Sequence, residues 1–201
     1  MTNEHEPHSN SGEHEASRER IDPPAPRIYV ASLSDYNNGR LHGVWLDAAR
    51  EAADVQADIQ AMLAASPEPD AEEFAIHDYD NFGDAQIYEY DSIELVTRIA
   101  RGIAEHGLAF AAWASVQEGN DDALDRFEDA YLGHYDSMEA YAEQLIDDLG
   151  YQRLLDDAIP ESLRPYARID TEALARDMHL EGDLHFMPTD DGGVWLFDGR
   201  I

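Results

Sequence analysis

Five residues between positions 78 and 89 are spaced like the ligands of a calcium loop: Asp78, Asp80, Gly83, Asp84 and Glu89. They would take positions 1, 3, 6, 7 and 12, where carboxylate oxygens hold the ion and glycine allows a sharp turn. Position 5 is Phe82, which has no side-chain oxygen, and the preceding EEFAIHDY (72–79) is typical of a strand where the motif requires a helix. These carboxylates are therefore predicted to face water, and no metal site is predicted.

A second series of carboxylates lies on a predicted helix from Asp136 to Leu149. At about 100° per residue, four of its acids fall within a stripe roughly 80° wide. The opposite side is apolar and carries Met138, Tyr141, Leu145 and Leu149. No arginine follows an acid at the fourth position to neutralise it. The pattern predicts a helix with one core face and one carboxylate face, formed by Asp136, Glu139, Glu143 and Asp147.

A third, shorter series of acids recurs at helical spacing within DDALDRFEDAYLG (121–133), a segment predicted to be helical. Its members are Asp121, Asp125 and either Glu128 or Asp129. A merely solvated helix face usually mixes both charges. The same bias in several segments favours a surface selected for negative charge.

The composition of the whole chain has the same bias. Its 201 residues include 44 acids and 13 basic residues, all of them arginine, which gives a formal net charge of -31. Such a charge repels nucleic acids and membranes and attracts proteins with a large basic groove. Direct nucleic-acid binding and membrane association are therefore not expected. The absence of cysteine and of an apolar run of ~18 residues predicts a cytoplasmic protein without disulfides.

Motifs for catalysis are lacking. The sequence has no P-loop, GxGxxG, HExxH or GxSxG pattern. His179 and His185 stand on either side of a predicted turn, so a shared metal between them is not predicted. Because more than one residue in five is acidic, a pair of carboxylates says little about acid–base chemistry. We expect a protein that is not an enzyme and needs no cofactor.

Apolar periodicity and composition divide the chain into four predicted segments. Residues 1–26 are polar, close with three prolines and are predicted to be a disordered tail. Residues 27–91 are predicted to form an N-terminal α/β domain, 92–126 a helical middle domain and 127–201 a C-terminal α/β domain. The predicted fold class is therefore α+β, in an elongated chain of three small domains.

The predicted elements follow from period and turn residues. Strands are expected at 27–33, 41–48, 72–79, 183–187 and 194–197, the last two as a closing hairpin. Helices are expected at 49–66, 92–107, 108–119, 121–133, 137–150, 160–166 and 171–182. Asn37, Asn38 and Gly39 supply turn residues between the first two strands. Ser92, Ser137 and either Asp170 or Thr171 are predicted helix caps.

The net charge is concentrated in the two outer segments. Residues 27–91 carry -11, 92–126 carry -3 and 127–201 carry -13, an excess of 27 negative charges in all. At the density of duplex DNA, one charge per ~1.7 Å, this excess would cover about 46 Å. A single helical stripe places one charge per ~5.5 Å, so imitation of DNA needs acids on several elements of an elongated body.

Three blocks of the sequence resemble the ArdA family of antirestriction proteins: residues 28–45, 72–80 and 159–184. The likeness runs in order through nearly all of residues 27–201 and is weakest in the alanine-rich middle. It implies a non-enzymatic DNA mimic, carried on mobile elements, that occupies the DNA-binding groove of type I restriction-modification enzymes. It also implies three small domains and a homodimer formed through the last of them.

The stretch from Leu155 to Ile169 is similar to the antirestriction motif of that family. The resemblance implies that this stretch forms the dimer contact more than it touches the enzyme. The residues that match are Leu155, Ile159, Pro160, Leu163 and Tyr166.

Two other interpretations of the acidic composition stay open. Adaptation to high salt also produces acidic proteins poor in lysine, although it does not explain the ordered family-like blocks. An acidic partner of another basic DNA-binding protein would have the same electrostatics as an antirestriction protein.

Overall fold

The computed structural model describes residues 24–201, in which helices accompany two three-stranded antiparallel sheets. The predicted α+β fold class is confirmed. Residues 1–23, most of the predicted disordered tail, lie outside the described residues. Ala25 and Pro26 form hydrogen bonds with residues of the folded part of the chain. Asn81 Nδ2 donates to the carbonyl of Ala25 at 3.1 Å, and the amide of Ala48 donates to the carbonyl of Pro26 at 2.9 Å.

The first sheet consists of β1 (Arg27–Ser32), β2 (Gly43–Asp47) and β3 (Phe74–Asp80), with β1 in the centre. Strand alternation directs Ile28 and Val30 of β1 into the core, where both are fully buried. A short helix, α1 (Leu33–Asn37), replaces the predicted end of the first strand. The reason is a cap, because Ser32 Oγ accepts a hydrogen bond from the amide of Asp35 at 3.3 Å.

Three longer helices continue the core of this sheet: α2 (Ala52–Ala64) packs on β1 and β2, α3 (Ile93–His106) packs on α2, and α4 (Leu108–Val116) packs on α3. As predicted, Ser92 caps α3 by accepting from the amide of Leu95. The approach of α4 to α3 depends on Gly102, because a Cβ there would lie 2.3 Å from the ring of Phe110. Trp113 of α4 is fully buried, and its Nε1 donates to the carbonyl of Ala123 at 3.1 Å.

The predicted helix at 121–133 is wrong in its last three residues, 131–133, which begin a strand. A 3₁₀ helix at Asp121–Arg126 is followed by a single turn, α5 (Phe127–Ala130), and then by β4 (Tyr131–Tyr135). Two of the five residues of β4 are tyrosines, and the strand pairs with β6 (Val194–Asp198). The ring of Tyr131 lies 5.8 Å from that of Phe197 and 5.2 Å from that of Phe127. Pairing with a distant strand therefore overrides the local helical periodicity.

The second sheet has the order β4-β6-β5, where β5 is Leu184–Pro188. The closing hairpin of β5 and β6 confirms the prediction for this part of the chain. Phe197 of β6 is fully buried and joins the core of the first sheet, with its ring 5.3 Å from that of Trp113. The division into three domains stays a prediction.

The remaining helices lie beside the second sheet: α6 (Met138–Leu149), α7 (Tyr151–Ala158) and α8 (Thr171–Leu180). Ser137 caps α6 as predicted, and Asp170, one of the two predicted candidates, caps α8. No helix was predicted at the position of α7. The short helix expected at 160–166 is a 3₁₀ helix at Glu161–Tyr166. Within residues 24–201, none of the helices combines the length and the apolar character needed to cross a bilayer.

Candidate acidic binding surface

Carboxylates dominate the surface of the described chain. Of the 38 aspartates and glutamates in residues 24–201, 31 are exposed and one is fully buried. Arginines in the same range lie within 4.0 Å of only eight of these carboxylates. Most of the negative charge of residues 24–201 therefore reaches solvent without an arginine partner among those residues, and it is available to an external cation.

The outer face of α6 is the clearest example. Glu139, Glu143 and Asp147 are exposed, while Ala142 and Ile146 on the other side are buried. The spacing of four residues places successive carboxylates about 6 Å apart along the axis. Within the described chain no arginine pairs with them, although Arg168 lines the same groove as Glu143 and Asp147. This face is a row of uncompensated negative charge.

Two details of the predicted α6 stripe are wrong. Asp136 is exposed but precedes the N-cap Ser137, so it stands outside the helix rather than on its face. Leu149, predicted on the core side, is 49% exposed. It is the last residue of α6, next to Gly150, whose left-handed φ of 65° turns the chain into α7. The C-terminal end of the apolar stripe of α6 is thus exposed rather than packed in the core.

The third predicted series loses its regular helical spacing, because its residues lie on the 3₁₀ helix and on α5. All of its members remain exposed: Asp121, Asp125, Glu128 and Asp129. Asp125 is the one that an arginine neutralises, with Arg98 Nη2 at 2.7 Å from Oδ1. These acids are exposed but do not lie on one helix face.

The loop that resembled a calcium site begins inside β3. Asp78 and Asp80 are strand residues, which excludes the entering helix of the calcium motif. Asp80 pairs with Arg27 at 2.8 Å, whereas Asp78, Asp84 and Glu89 are exposed. Among residues 24–201, no group of three or more histidines, aspartates and glutamates is arranged to hold a metal ion. The carboxylates of this loop face water.

Asp35 is the fully buried carboxylate, and it serves the fold. Its Oδ2 accepts a hydrogen bond from Ser66 Oγ at 2.5 Å, and its Oδ1 lies 3.3 Å from Arg40 Nη1. Burial opposes its charge, but the hydrogen bonds from Ser66, Ser32 and Arg40 hold the pKa of Asp35 below its usual value. The residue is therefore ionised and fixes α1 against the turn after α2.

A contrasting surface follows directly after α6. We name residues 149–169 the neutral segment, because three arginines balance three acids there. None of the residues of α7 or of the following 3₁₀ helix is buried. Its most exposed apolar side chains are Leu154 at 63%, Leu163 at 53% and Tyr166 at 86%. Arg153, Arg164 and Arg168 form no ion pair within the described residues.

The predicted dimer residues all lie in this neutral segment. Pro160, Leu163 and Tyr166 are exposed, and Leu155 and Ile159 are half-buried. Gln152 holds the segment together. Its Nε2 donates to the carbonyl of Ala167 at 3.2 Å, and its Oε1 accepts from the amide of Ile169 at 3.3 Å. The bonds fold the extended chain after the 3₁₀ helix back onto α7.

A comparison with known protein families finds a match over most of the chain. The model of the antirestriction protein (ArdA) family matches residues 28–191. The chain belongs to the ArdA family of antirestriction proteins. A search among curated proteins returned no match. The resemblance inferred from the sequence blocks is thereby confirmed for most of the chain.

Family membership gives the acidic surface of this ArdA-family protein its context. An antirestriction function is implied, and the family consists of inhibitor proteins rather than enzymes. An inhibitor acts by binding, so exposed charge and exposed apolar area are the features that matter in it.

Sequence reasoning missed three residues of the neutral segment: Tyr151, Leu154 and Gln152. Tyr151 and Leu154 are exposed at 45% and 63%. Together with Leu155 and Ala158 they follow the i, i+3, i+4, i+7 pattern of an amphipathic helix, which could have revealed them. Gln152 has no such signal, because its role depends on contacts with residues 15 and 17 positions away.

Proposed function

We propose that this ArdA-family protein is a DNA mimic that occupies the DNA-binding groove of a type I restriction-modification enzyme. The observation that carries the proposal is the uncompensated charge, because arginines contact only eight of 38 carboxylates in residues 24–201. Restriction and modification enzymes bind DNA largely through contacts of basic side chains with phosphates. An array of carboxylates meets the same side chains and offers no base or phosphodiester for the reaction.

The acids act collectively in this proposal. The face of α6 places carboxylates about 6 Å apart, more sparsely than the phosphates of a duplex. Acids on β3, on the loop to α3, on the 3₁₀ helix and on α6 must therefore contribute together. Binding of this kind releases counterions from the basic groove and from the acidic surface, so it weakens as salt is added.

The protein also acts as a homodimer in this proposal, with the neutral segment as the contact. A protomer with a formal net charge of -31 repels its own copy, and repulsion is smallest where a surface is neutral. The exposed apolar residues of the neutral segment supply area to bury, and its unpaired arginines can meet acids of the second copy.

A cleavage assay with a purified type I enzyme tests the proposal. We expect the protein to inhibit cleavage of unmodified DNA, and the inhibition to decline steeply as the salt concentration rises. Inhibition that is independent of salt would contradict a mechanism based on distributed charge. The rival interpretation, an acidic partner of a different basic protein, predicts no inhibition of the restriction enzyme at any salt concentration.

A further inference from the structure

A cavity of about 320 Å³ lies where α3, α4, the loop after β3 and the 3₁₀ helix meet. Leu95, Ile99 and Leu124 are the larger apolar side chains that line it. The lining also includes Tyr88 and three acids, namely Asp91, Glu118 and Asp121. We propose that this cavity binds a single arginine side chain presented by the protein's basic partner. The inference rests on the proposed function for the identity of that partner, but the class of ligand follows from the cavity itself.

The lining fits a cation with an apolar stem. It contains three acids and neither arginine nor histidine, whereas a neighbouring cavity beyond Leu124 is lined by Arg98, Arg101 and His106 as well as acids. In that neighbouring cavity, basic side chains of the chain itself offset the acids. No basic side chain lines the first cavity, so its acids can attract a cation from another molecule. Its apolar side chains can cover the methylene groups of an arginine.

The acids of the cavity retain free hydrogen-bond acceptors. Tyr88 donates its hydroxyl to Glu118 Oε1, and the amide of Tyr88 donates to Asp91 Oδ2 at 2.8 Å. The bond to Glu118 raises the pKa of Tyr88, so the phenol stays neutral and adds no repulsion of its own. The second oxygen of Glu118 and that of Asp91 are left to accept from a guanidinium, which carries five donors.

The same fold already seats a guanidinium against an aromatic ring and a carboxylate. Arg27 lies 4.7 Å from the ring centroid of Trp45 and donates to Asp80 at 2.8 Å and 3.2 Å. Tyr88 with Glu118 and Asp91 offers a similar set of groups, and no arginine of residues 24–201 lines the cavity. A planar guanidinium can stack on Tyr88 and bond two acids at once, which a compact ammonium cannot do. The site is therefore selective for arginine over lysine.

A titration of the protein alone tests the ligand class. Ethylguanidinium chloride is added to ¹⁵N-labelled protein, and ethylammonium chloride is added at the same ionic strength in a parallel series. We expect saturable shifts of the backbone amide signals of Tyr88, Glu118 and Gly119 with ethylguanidinium and much smaller ones with ethylammonium. The double variant Asp91→Asn/Glu118→Gln is expected to lose the response, and Glu143→Gln/Asp147→Asn, with the same change in charge, to keep it. Equal responses in the two variants, or shifts spread over the whole surface, would overturn the proposal.

An inhibition assay with the same two variants tests the role of the cavity toward the partner. Loss of two charge-assisted hydrogen bonds should raise the half-inhibitory concentration at least about thirtyfold, against about fourfold for the α6 pair. Similar increases for both variants would show that the cavity is ordinary acidic surface. If the wild-type protein does not inhibit the enzyme, the proposed function fails, and the ethylguanidinium titration still decides whether the cavity binds arginine.

Filling the cavity without changing charge provides an independent variant. Ser115 lines the cavity and is half-buried, so Ser115→Phe is expected to block it. Circular dichroism and thermal unfolding verify that the variant folds. Folded Ser115→Phe protein should lose the ethylguanidinium shifts, and retention of those shifts would contradict the proposed site.

Discussion

Helices α6 and α7 are consecutive in the chain, yet they present opposite surfaces. The outer face of α6 carries Glu139, Glu143 and Asp147 without an arginine partner among the described residues, and α6 buries two residues beneath that face. In contrast, α7 buries none of its residues and belongs to the neutral segment, where charges balance and apolar side chains are exposed. Gly150, in a left-handed conformation, separates the two.

The difference fits the two kinds of partner that we propose, a basic groove and a second copy of the chain. A surface of one sign suits a partner of the opposite sign, whereas a contact between identical copies has to avoid charge of either sign in excess. Acids are therefore dense on α6 and balanced by arginines in the neutral segment. We expect the two surfaces to respond separately to mutation.

The largest effect is expected from charge placed in the neutral segment. Leu154→Asp with Tyr166→Asp removes two exposed apolar side chains and adds repulsion between copies. The dimer dissociation constant should rise about a hundredfold or more, as measured by sedimentation equilibrium.

Leu41 provides the control for this change, because it is 78% exposed and lies between α1 and β2. Leu41→Asp should leave the dimer intact. If the double variant dimerises like the wild type, the neutral segment is not the contact.

Neutralising the α6 face should have a smaller effect, on inhibition alone. The triple variant Glu139→Gln/Glu143→Gln/Asp147→Asn is expected to raise the half-inhibitory concentration about eightfold, because each exposed charge contributes modestly. Its dimer dissociation constant should not rise, since a less negative protomer repels its copy less. Loss of dimerisation in this variant would show that the α6 face and the neutral segment do not act independently.

Single neutralisations on the acidic surface are expected to matter still less. Asp78→Asn, Asp84→Asn or Glu128→Gln should each change the half-inhibitory concentration about twofold. A single change of this kind that abolishes inhibition, with fold and dimer intact, would disprove the distributed-charge account.

The smallest effect on inhibition is expected at the buried carboxylate. Asp35→Asn removes a charge that does not reach solvent, so inhibition well below the melting temperature should be unchanged. Stability should respond, because Asp35 has a folded-state pKa below its unfolded value. Its contribution is present above the unfolded pKa, near 4, and is lost as the pH falls through the lower folded pKa.

Thermal unfolding between pH 7 and pH 2 measures this contribution. The wild type should lose stability on acidification below about pH 4, and Asp35→Asn should start lower and lose less over that range. A steeper acid dependence in the variant would contradict the assignment.

Sequence reasoning reached the fold class, the caps Ser92 and Ser137 and the closing hairpin, because each depends on local periodicity or on a nearby side chain. It failed at β4, where Tyr131–Tyr135 becomes a strand through pairing with residues some sixty positions later. Local periodicity alone does not predict such pairing.

The candidate sites are also only partly predictable from the sequence. Exposure of acids follows from composition, so ten of the eleven acids predicted for the surface are exposed, and Asp80 is half-buried beside Arg27. The cavity around Tyr88 depends on four separate elements meeting, and no spacing in the sequence indicates it. The same is true of Gln152, whose partners are distant in the chain.

Competition with DNA tests the central claim most directly. In the cleavage assay, a short duplex that carries the recognition sequence but is too short to be cleaved is added at increasing concentrations. If the protein occupies the DNA-binding groove, its half-inhibitory concentration should rise in proportion to the duplex concentration. A half-inhibitory concentration that stays constant as the duplex is added would show that the protein binds elsewhere and is not a DNA mimic.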